Sequence, residues 1–150
     1  SVARHLAREI RAIWLRVDSI EQAIRDSGVV RGSLDDAGYR AGYAVAEDNL
    51  RLGHDVVADS VNPWMLTRDA WRDCGLRADG RVVEVEVICS DLLEHRRRIE
   101  GRVNDVPNLE PLNWLEVVGR EYHPWDRSPL VIDTFRQSVA ECVAIIRNAL

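Results

Sequence analysis

Short apolar runs alternate with amphipathic stretches along most of the chain. Four runs rich in β-branched or aliphatic residues predict buried strands over 12–17, 55–58, 81–89 and 130–133. Apolar residues at helical spacing predict helices over 2–11, 19–28, 36–52, 67–78, 91–102, 113–121 and 138–150. This alternation favours an α/β fold with a mainly parallel sheet that helices cover on both faces.

Capping signals locate several of these helices. Capping-box patterns at Ser19 and Ser138, and an aspartate cap at Asp91, each precede an acidic or amide residue three positions later. Gly53 is expected to close the third helix. Gly38 and Gly42, inside that helix, indicate close helix packing, because glycine costs roughly 1 kcal/mol in a helix interior.

Length and composition narrow the function classes. A chain of 150 residues with 46% hydrophobic and 30% charged residues fits one domain, residues 1–150, with its own core. All 20 basic residues are arginine, which excludes a lysine base, a Schiff-base lysine and a phosphate-loop lysine within these residues. A net charge of −5 argues against nucleic acid as a partner, although a local arginine-lined groove would not show in the composition, and a kinase of nucleic-acid ends stays an alternative. No apolar run is long enough for a membrane span.

The cysteines indicate the compartment. Cys74, Cys89 and Cys142 are odd in number and widely spaced, which supports neither a zinc site nor a disulfide framework. We expect free, mostly buried thiols and a cytoplasmic protein.

Polar or acidic residues follow each predicted strand. Asp18, Asp59, Asp91 and Asp133 would lie at one edge of a parallel sheet, where ligands of such sheets bind. Carboxylates there suit a metal–phosphate site or a general base, although Asp also caps helices and starts turns. We interpret Asp91 and Asp133 as local caps, and Asp18 and Asp59 as functional candidates.

An arginine-rich helix supplies the second candidate feature. Arg98 and Arg102 are four residues apart, a spacing that predicts one shared helix face able to grip phosphate oxygens. A solvated helix face is the alternative. The proline-containing loop that follows is where a mobile lid could lie. Among the aromatic residues, Tyr39, Tyr43 and Trp64 could line a pocket, with ordinary packing as the alternative.

Four ordered segments resemble one known group of proteins. LRVDSIEQAI (15–24), VVADSVNPW (56–64), VEVICSDLLEHRRRIEGR (85–102) and REYHPWDRSPLVIDT (120–134) resemble bacterial P-loop kinase-like proteins. These are described as AAA-family ATPases or adenylylsulfate-kinase-like proteins and are akin to small-molecule kinases and zeta toxins. The resemblance implies a three-layer P-loop NTPase-like fold, with a lid at about 95–125, that transfers a phosphoryl group from ATP to a small-molecule hydroxyl.

The resemblance also implies roles for individual residues. Asp18 would be the general base, Asp59 would hold Mg²⁺, and Arg98 and Arg102 would be lid arginines. The remaining candidates fall into two groups. Three would lie near the nucleotide: Ser1, Thr134 and Arg136. Four would line the acceptor pocket: Tyr39, Tyr43, Asn62 and Trp64.

One departure from the family pattern is large. No strand and no GxxxxGK[ST] phosphate loop precede the first helix of these residues. We expect either a longer protein from which these parts are missing, which we favour, or a degenerate relative that acts as a non-catalytic binding or interaction module. The 150 residues alone are then expected to bind ATP weakly, to be inactive, and to leave strand edges unpaired.

Overall fold

The computed structural model describes residues 1–150 as seven helices and four short strands. The strands are β1 (Ile13–Arg16), β2 (Val56–Asp59), β3 (Val85–Ile88) and β4 (Leu130–Asp133). The helices are α1 (Val2–Ile10), α2 (Val17–Asp26), α3 (Ala37–Arg51), α4 (Met65–Arg77), α5 (Leu92–Glu100), α6 (Trp114–Val118) and α7 (Val139–Ala149). The mixed α/β class predicted from the sequence is confirmed. None of these helices has both the length and the apolar character needed to cross a membrane.

The strands form two separate parallel pairs. β1 pairs with β2, which sets Arg16 opposite Asp59, and β3 pairs with β4, which sets Ile88 opposite Asp133. No β-ladder joins β2 to β3. The predicted parallel pairing is therefore confirmed, whereas the single continuous sheet is not formed by these four strands.

One apolar cluster holds the two pairs together from one side. Its buried members come from α1, β4 and α7: Val2, Leu6, Ile132, Cys142, Val143 and Ile146. Val57 of β2 and Val85 of β3 both pack against this cluster. The two pairs are therefore neighbours in space, although the edges of β2 and β3 share no backbone hydrogen bonds.

Helices α2, α3 and α4 form a layer in which the glycines of α3 permit close approach. Gly38 and Gly42 are buried. A Cβ atom at Gly42 would lie 3.1 Å from the Trp71 ring, and one at Gly38 would meet the Glu21 side chain. The packing role expected for these glycines is confirmed.

Some predicted boundaries are wrong. α2 begins at Val17, without a side-chain cap, so the capping box at Ser19 does not form. Val17, only 2% exposed, is therefore the first residue of α2 and not the last residue of the strand predicted over 12–17. β3 is four residues long rather than nine, because the four residues of β4 pair only with 85–88, and beyond them only the backbone oxygen of Glu84 accepts a hydrogen bond from β4, from the N–H of Leu130 at 2.9 Å.

The arginine helix is also shorter than predicted. α5 ends at Glu100, and Gly101 is its C-cap. Arg102 therefore lies beyond the helix and does not share a helical face with Arg98. By contrast, the caps at Asp91 and Ser138 form as predicted, with side-chain oxygens that accept from the backbone N–H of Glu94 and Glu141.

Candidate active site

The carboxyl ends of β1 and β2 bring together the first group of candidate residues. Asp59 is the last residue of β2, and its Oδ2 accepts a hydrogen bond of 3.0 Å from the indole Nε1 of Trp14. Trp14 lies on the neighbouring strand two residues before Arg16, which pairs with Asp59 in the parallel register. The strand pairing thus fixes one oxygen of the Asp59 carboxylate and leaves Oδ1 without a protein partner.

Asp18 lies at the same edge, in the first turn of α2. Its Oδ2 is 3.8 Å from Nε of Arg16, and its side chain is about half exposed. A carboxylate in the first turn of a helix is stabilised by the positive end of the helix dipole. Asp18 is therefore an accessible carboxylate beside a guanidinium, at the edge where Asp59 also lies.

Tyr39 of α3 approaches this edge from the other side. Its hydroxyl donates a hydrogen bond to the backbone oxygen of Val61, two residues after Asp59. Burial raises the pKa of Tyr39 to about 12, and the negative charges of Glu21 and Asp18 act in the same direction. Tyr39 therefore lies close enough to Asp18 to share its electrostatic environment.

Arg120, which the sequence analysis did not single out, also acts on the phenol of Tyr39. Its positive charge partly offsets the rise in the pKa of Tyr39. Arg120 is exposed and makes no salt bridge with another side chain. It is thus a free cation near the Asp18 edge.

The other three residues predicted for the acceptor pocket differ in accessibility. Tyr43 packs edge-on against Trp71, with 4.6 Å between ring centroids, and so belongs mainly to the helix layer. Asn62 follows β2, and its side chain bonds to Ser60 in the same turn. Trp64, the N-cap of α4, is 45% exposed. Asn62 is therefore fixed within the turn after β2, Trp64 is open to solvent, and Tyr43 is packed in the helix layer.

Arg68 holds the turn after β2 in place, and sequence reasoning missed it. Its side chain is 2% exposed. It donates to the backbone oxygens of Asn62 (2.9 Å), Pro63 (3.4 Å), His123 (2.8 Å) and Pro124 (3.3 Å). The rings of Tyr122 and Trp125 flank it, with centroids 4.8 and 4.3 Å from Cζ.

These contacts make Arg68 a bridge between two distant segments. The turn at 62–63 follows the first strand pair, and the loop at 122–125 precedes β4 of the second. Trp125 Nε1 also donates to Glu86 of β3 at 2.9 Å. Arg68 therefore gives the two strand pairs a second connection, separate from the apolar cluster.

A second group of candidate residues lies at the carboxyl ends of β3 and β4. Asp133 accepts from the N–H (3.0 Å) and hydroxyl (2.6 Å) of Ser90 and from the N–H of Phe135 (3.1 Å). These hydrogen bonds, those of Ser90 first, lower the pKa of Asp133. The interpretation of Asp133 as a local turn residue agrees with this geometry.

Arg98 is tied to the same cluster. Its Nε donates to Glu94 at 2.7 Å, and its terminal nitrogens donate to the Thr134 hydroxyl (3.0 Å) and backbone oxygen (3.2 Å). The structure thus brings Arg98 and Thr134 together. Arg136 is highly exposed and contacts only Asp133, at 3.4 Å. Arg102 is exposed and forms no salt bridge.

Ser1 lies at the beginning of α1. Its hydroxyl caps the helix by accepting from the backbone N–H of Arg4 at 3.3 Å. No hydrogen bond connects the Asp18–Asp59 group with the Asp133–Thr134 group. The candidate residues thus form two clusters at the ends of two strand pairs.

The donor set at Asp59 fits Mg²⁺ but not a fully protein-bound metal. No group of three or more His, Cys, Asp or Glu side chains converges anywhere in the chain. Mg²⁺ is commonly held by one or two carboxylates, with phosphates and water completing its coordination. The unpartnered Oδ1 of Asp59 meets that requirement.

Comparisons with known proteins relate the chain by fold. Neither protein-family profiles nor curated protein sequences give a significant match. Among solved structures, the chain is similar to the crystal structure of a "putative kinase" from Chloroflexus aurantiacus J-10-fl. The TM-score is 0.67 at 17% sequence identity, and the match covers 99% of this chain and 90% of that one. A likeness at this identity establishes a shared fold.

Proposed function

We propose that the protein is an ATP-dependent phosphotransferase that acts on the hydroxyl of a small molecule. The observation that carries the proposal is the position of Asp18 and Asp59 at the carboxyl ends of one parallel strand pair. One carboxylate there is accessible, and the other has a single free oxygen. The fold shared with the kinase-described structure supports the proposal.

In this proposal the two carboxylates have different tasks. Asp18 accepts a hydrogen bond from the acceptor hydroxyl, orients it, and takes its proton. Asp59 would hold Mg²⁺, with the indole of Trp14 fixing the carboxylate. The metal, when bound, neutralises charge on the phosphates of ATP. Phosphoryl transfer depends chiefly on positioning and electrostatics, so two carboxylates and a few cations are sufficient only where a phosphate-binding loop is also supplied.

The cations and pocket residues complete the proposal. Arg98, a lid arginine by the resemblance, is bonded to Thr134, and we therefore assign it to the nucleotide side together with Arg136. Arg102 is a lid arginine of the 95–125 segment that is free to reach the transferred phosphoryl. Tyr39, Asn62 and Trp64 border the acceptor, Tyr43 supports Tyr39, and Ser1 lies where α1 would face the phosphates.

A non-catalytic binding module is the second candidate. Residues 1–150 contain no lysine and no glycine-rich phosphate loop, and β2 and β3 each pair with only one other strand. In that reading the carboxyl-end clusters bind a ligand without turning it over. Only the kinase reading predicts consumption of ATP.

A phosphoryl-transfer screen tests the proposal. The protein is expressed from its gene with any codons that precede that of Ser1, and γ-labelled ATP is incubated with pools of sugars, hydroxy acids, nucleosides and amino alcohols. We expect label to transfer to one pool, and the transfer to require Mg²⁺. Tight binding of an acceptor without any ATP consumption would favour the binding module instead.

A further inference from the structure

Two arginines from different elements converge on one carboxylate near Asp18. Nη1 of Arg16, at the end of β1, is 2.7 Å from Oδ1 of Asp105. Nη1 of Arg4, in α1, is 3.4 Å from Oδ2 of the same carboxylate. The hydrogen bond from Arg16 lowers the pKa of Asp105, so this carboxylate is ionised where it lies.

The two sides of this contact are built differently. The Arg16 side chain is only 10% exposed and stands 5.8 Å from the centre of the Trp14 ring, so β1 fixes its guanidinium. Asp105 is half exposed and reaches the arginine from the irregular segment between α5 and α6. The cation is therefore part of the rigid edge, and the anion is brought to it by a loop.

A cavity of about 290 Å³ adjoins the contact. Arg16 and Asp105 line it together with polar residues of α2, among them Gln22. Gln22 is only 8% exposed, and its amide donates to Asp26 at 2.8 Å, so the polar wall is held in place. A small polar molecule in this cavity could reach Arg16 and lie near Asp18.

We propose that Arg4 and Arg16 form a binding site for an anionic oxygen group, carboxylate or phosphate, and that Asp105 occupies it when no ligand is bound. The carboxylate of Asp105 makes the contacts that such a group would make, since guanidinium groups bind carboxylate and phosphate oxygens alike. A ligand anion displaces Asp105 and thereby loosens the segment that carries it.

The assignment of this anion to the acceptor rests on the proposed function. Arg16 Nε lies 3.8 Å from the Asp18 carboxylate, so an acceptor anchored at Arg16 by an acidic group would present its hydroxyl near the proposed base. The acceptor is then a small hydroxy acid or a phosphorylated alcohol rather than a neutral sugar. Anion binding by the arginine pair does not itself depend on kinase activity.

Titration with inorganic phosphate at low ionic strength tests the site, followed by NMR chemical shifts or calorimetry. Asp105→Asn removes the competing carboxylate, which the chain holds beside the arginines at a local concentration on the order of millimolar. Phosphate should therefore bind to Asp105→Asn at least about tenfold more tightly than it binds to the wild type. Adding Arg16→Gln to Asp105→Asn should abolish this gain. Adding the more exposed Arg4→Gln instead should reduce it several-fold.

Controls separate this site from general charge effects. Asp36→Asn removes an exposed aspartate that pairs with Arg40, and it should leave phosphate affinity unchanged. Equal phosphate affinity in the wild type and Asp105→Asn would overturn the proposal, as would a gain that survives Arg16→Gln.

Two further arms identify the source of the anion. Acetate should compete with phosphate if the pair accepts either group. If Mg-ATP displaces phosphate from Asp105→Asn as well as acetate does, the site serves the nucleotide. Its assignment to the acceptor is then wrong. None of these titrations requires turnover, so failure of the kinase proposal and failure of the anion site give different results.

Discussion

Replacing Arg68 by methionine tests the bridge between the strand pairs. Methionine keeps an unbranched apolar stem but removes the guanidinium. Four backbone oxygens accept hydrogen bonds from the guanidinium of Arg68, and those of Asn62 and His123 lie within 2.9 Å of its nitrogens. Each buried acceptor left unpaired costs about 1–3 kcal/mol. Relief from burying a charge offsets part of this loss.

We therefore expect Arg68→Met to lower the free energy of unfolding by about 2–4 kcal/mol, a large share of the stability of an ordinary domain. Urea unfolding followed by circular dichroism measures it, and the melting temperature should fall by roughly 4–16 °C. Arg72→Met is the matched control, one turn further along α4. Arg72 is about half exposed and has one contact of 3.4 Å, with Glu84.

The control should change the free energy of unfolding by no more than about 0.5 kcal/mol. The bridge would be refuted if Arg68→Met had an equally small effect. Arg68→Lys extends the test, because a lysine retains the charge but cannot span four carbonyl oxygens with one planar fork. It should recover only a small part of the lost stability.

Three further outcomes follow from particular contacts. Hydrogen bonds from two neighbouring arginines lower the pKa of Glu94 from 4.5 to about 2. The stability that these bonds give is complete above pH 4.5 and is lost as pH falls towards 2. In a plot of stability against pH, Glu94→Gln should therefore reduce the fall in stability on the acid side. A Cβ atom at Gly75 would lie 2.5 Å from Cγ2 of Val82. Urea titration should therefore show that Gly75→Ala destabilises the fold by about 1–3 kcal/mol, although alanine has the better helix propensity. No loss of stability would mean that the segment at 81–84 moves freely. Burial, more than any other cause, raises the pKa of Tyr39 to about 12. A pH titration of absorbance near 295 nm should therefore show one tyrosine fewer ionising at that pH in Tyr39→Phe than in the wild type.

The sequence predicted elements better than contacts. Helix caps at Asp91 and Ser138 could be read locally because a cap and its partner lie three residues apart. The early start of α2 could not, because Val17 continues the apolar run of β1 and no side-chain cap precedes it. Gly101 did carry a signal that the arginine helix ends before Arg102, since glycine commonly follows a helix C-terminus.

The carboxylates of the candidate site, at the ends of strands, could be predicted from the sequence. The long-range contacts that hold the surrounding segments in place could not. Asp59 ends β2 and Asp18 comes two residues after β1, so parallel pairing alone places them at one edge. The partners of Arg68 are up to 56 residues away in the sequence and are backbone oxygens, which leave no side-chain pattern to detect. The contact between Arg16 and Asp105 spans 89 residues and likewise has no local signature.

Steady-state phosphoryl transfer by Asp18→Asn tests the central claim most directly. The variant keeps the shape of the side chain and removes the base, so turnover of ATP with the acceptor from the screen should fall by roughly 10²–10⁴-fold. ATP affinity, measured separately, should barely change, because in the proposed arrangement Asp18 contacts the acceptor hydroxyl and not the triphosphate. Turnover close to that of the wild type would contradict the account and leave Asp18 as an acidic residue that merely stabilises the N-terminus of α2.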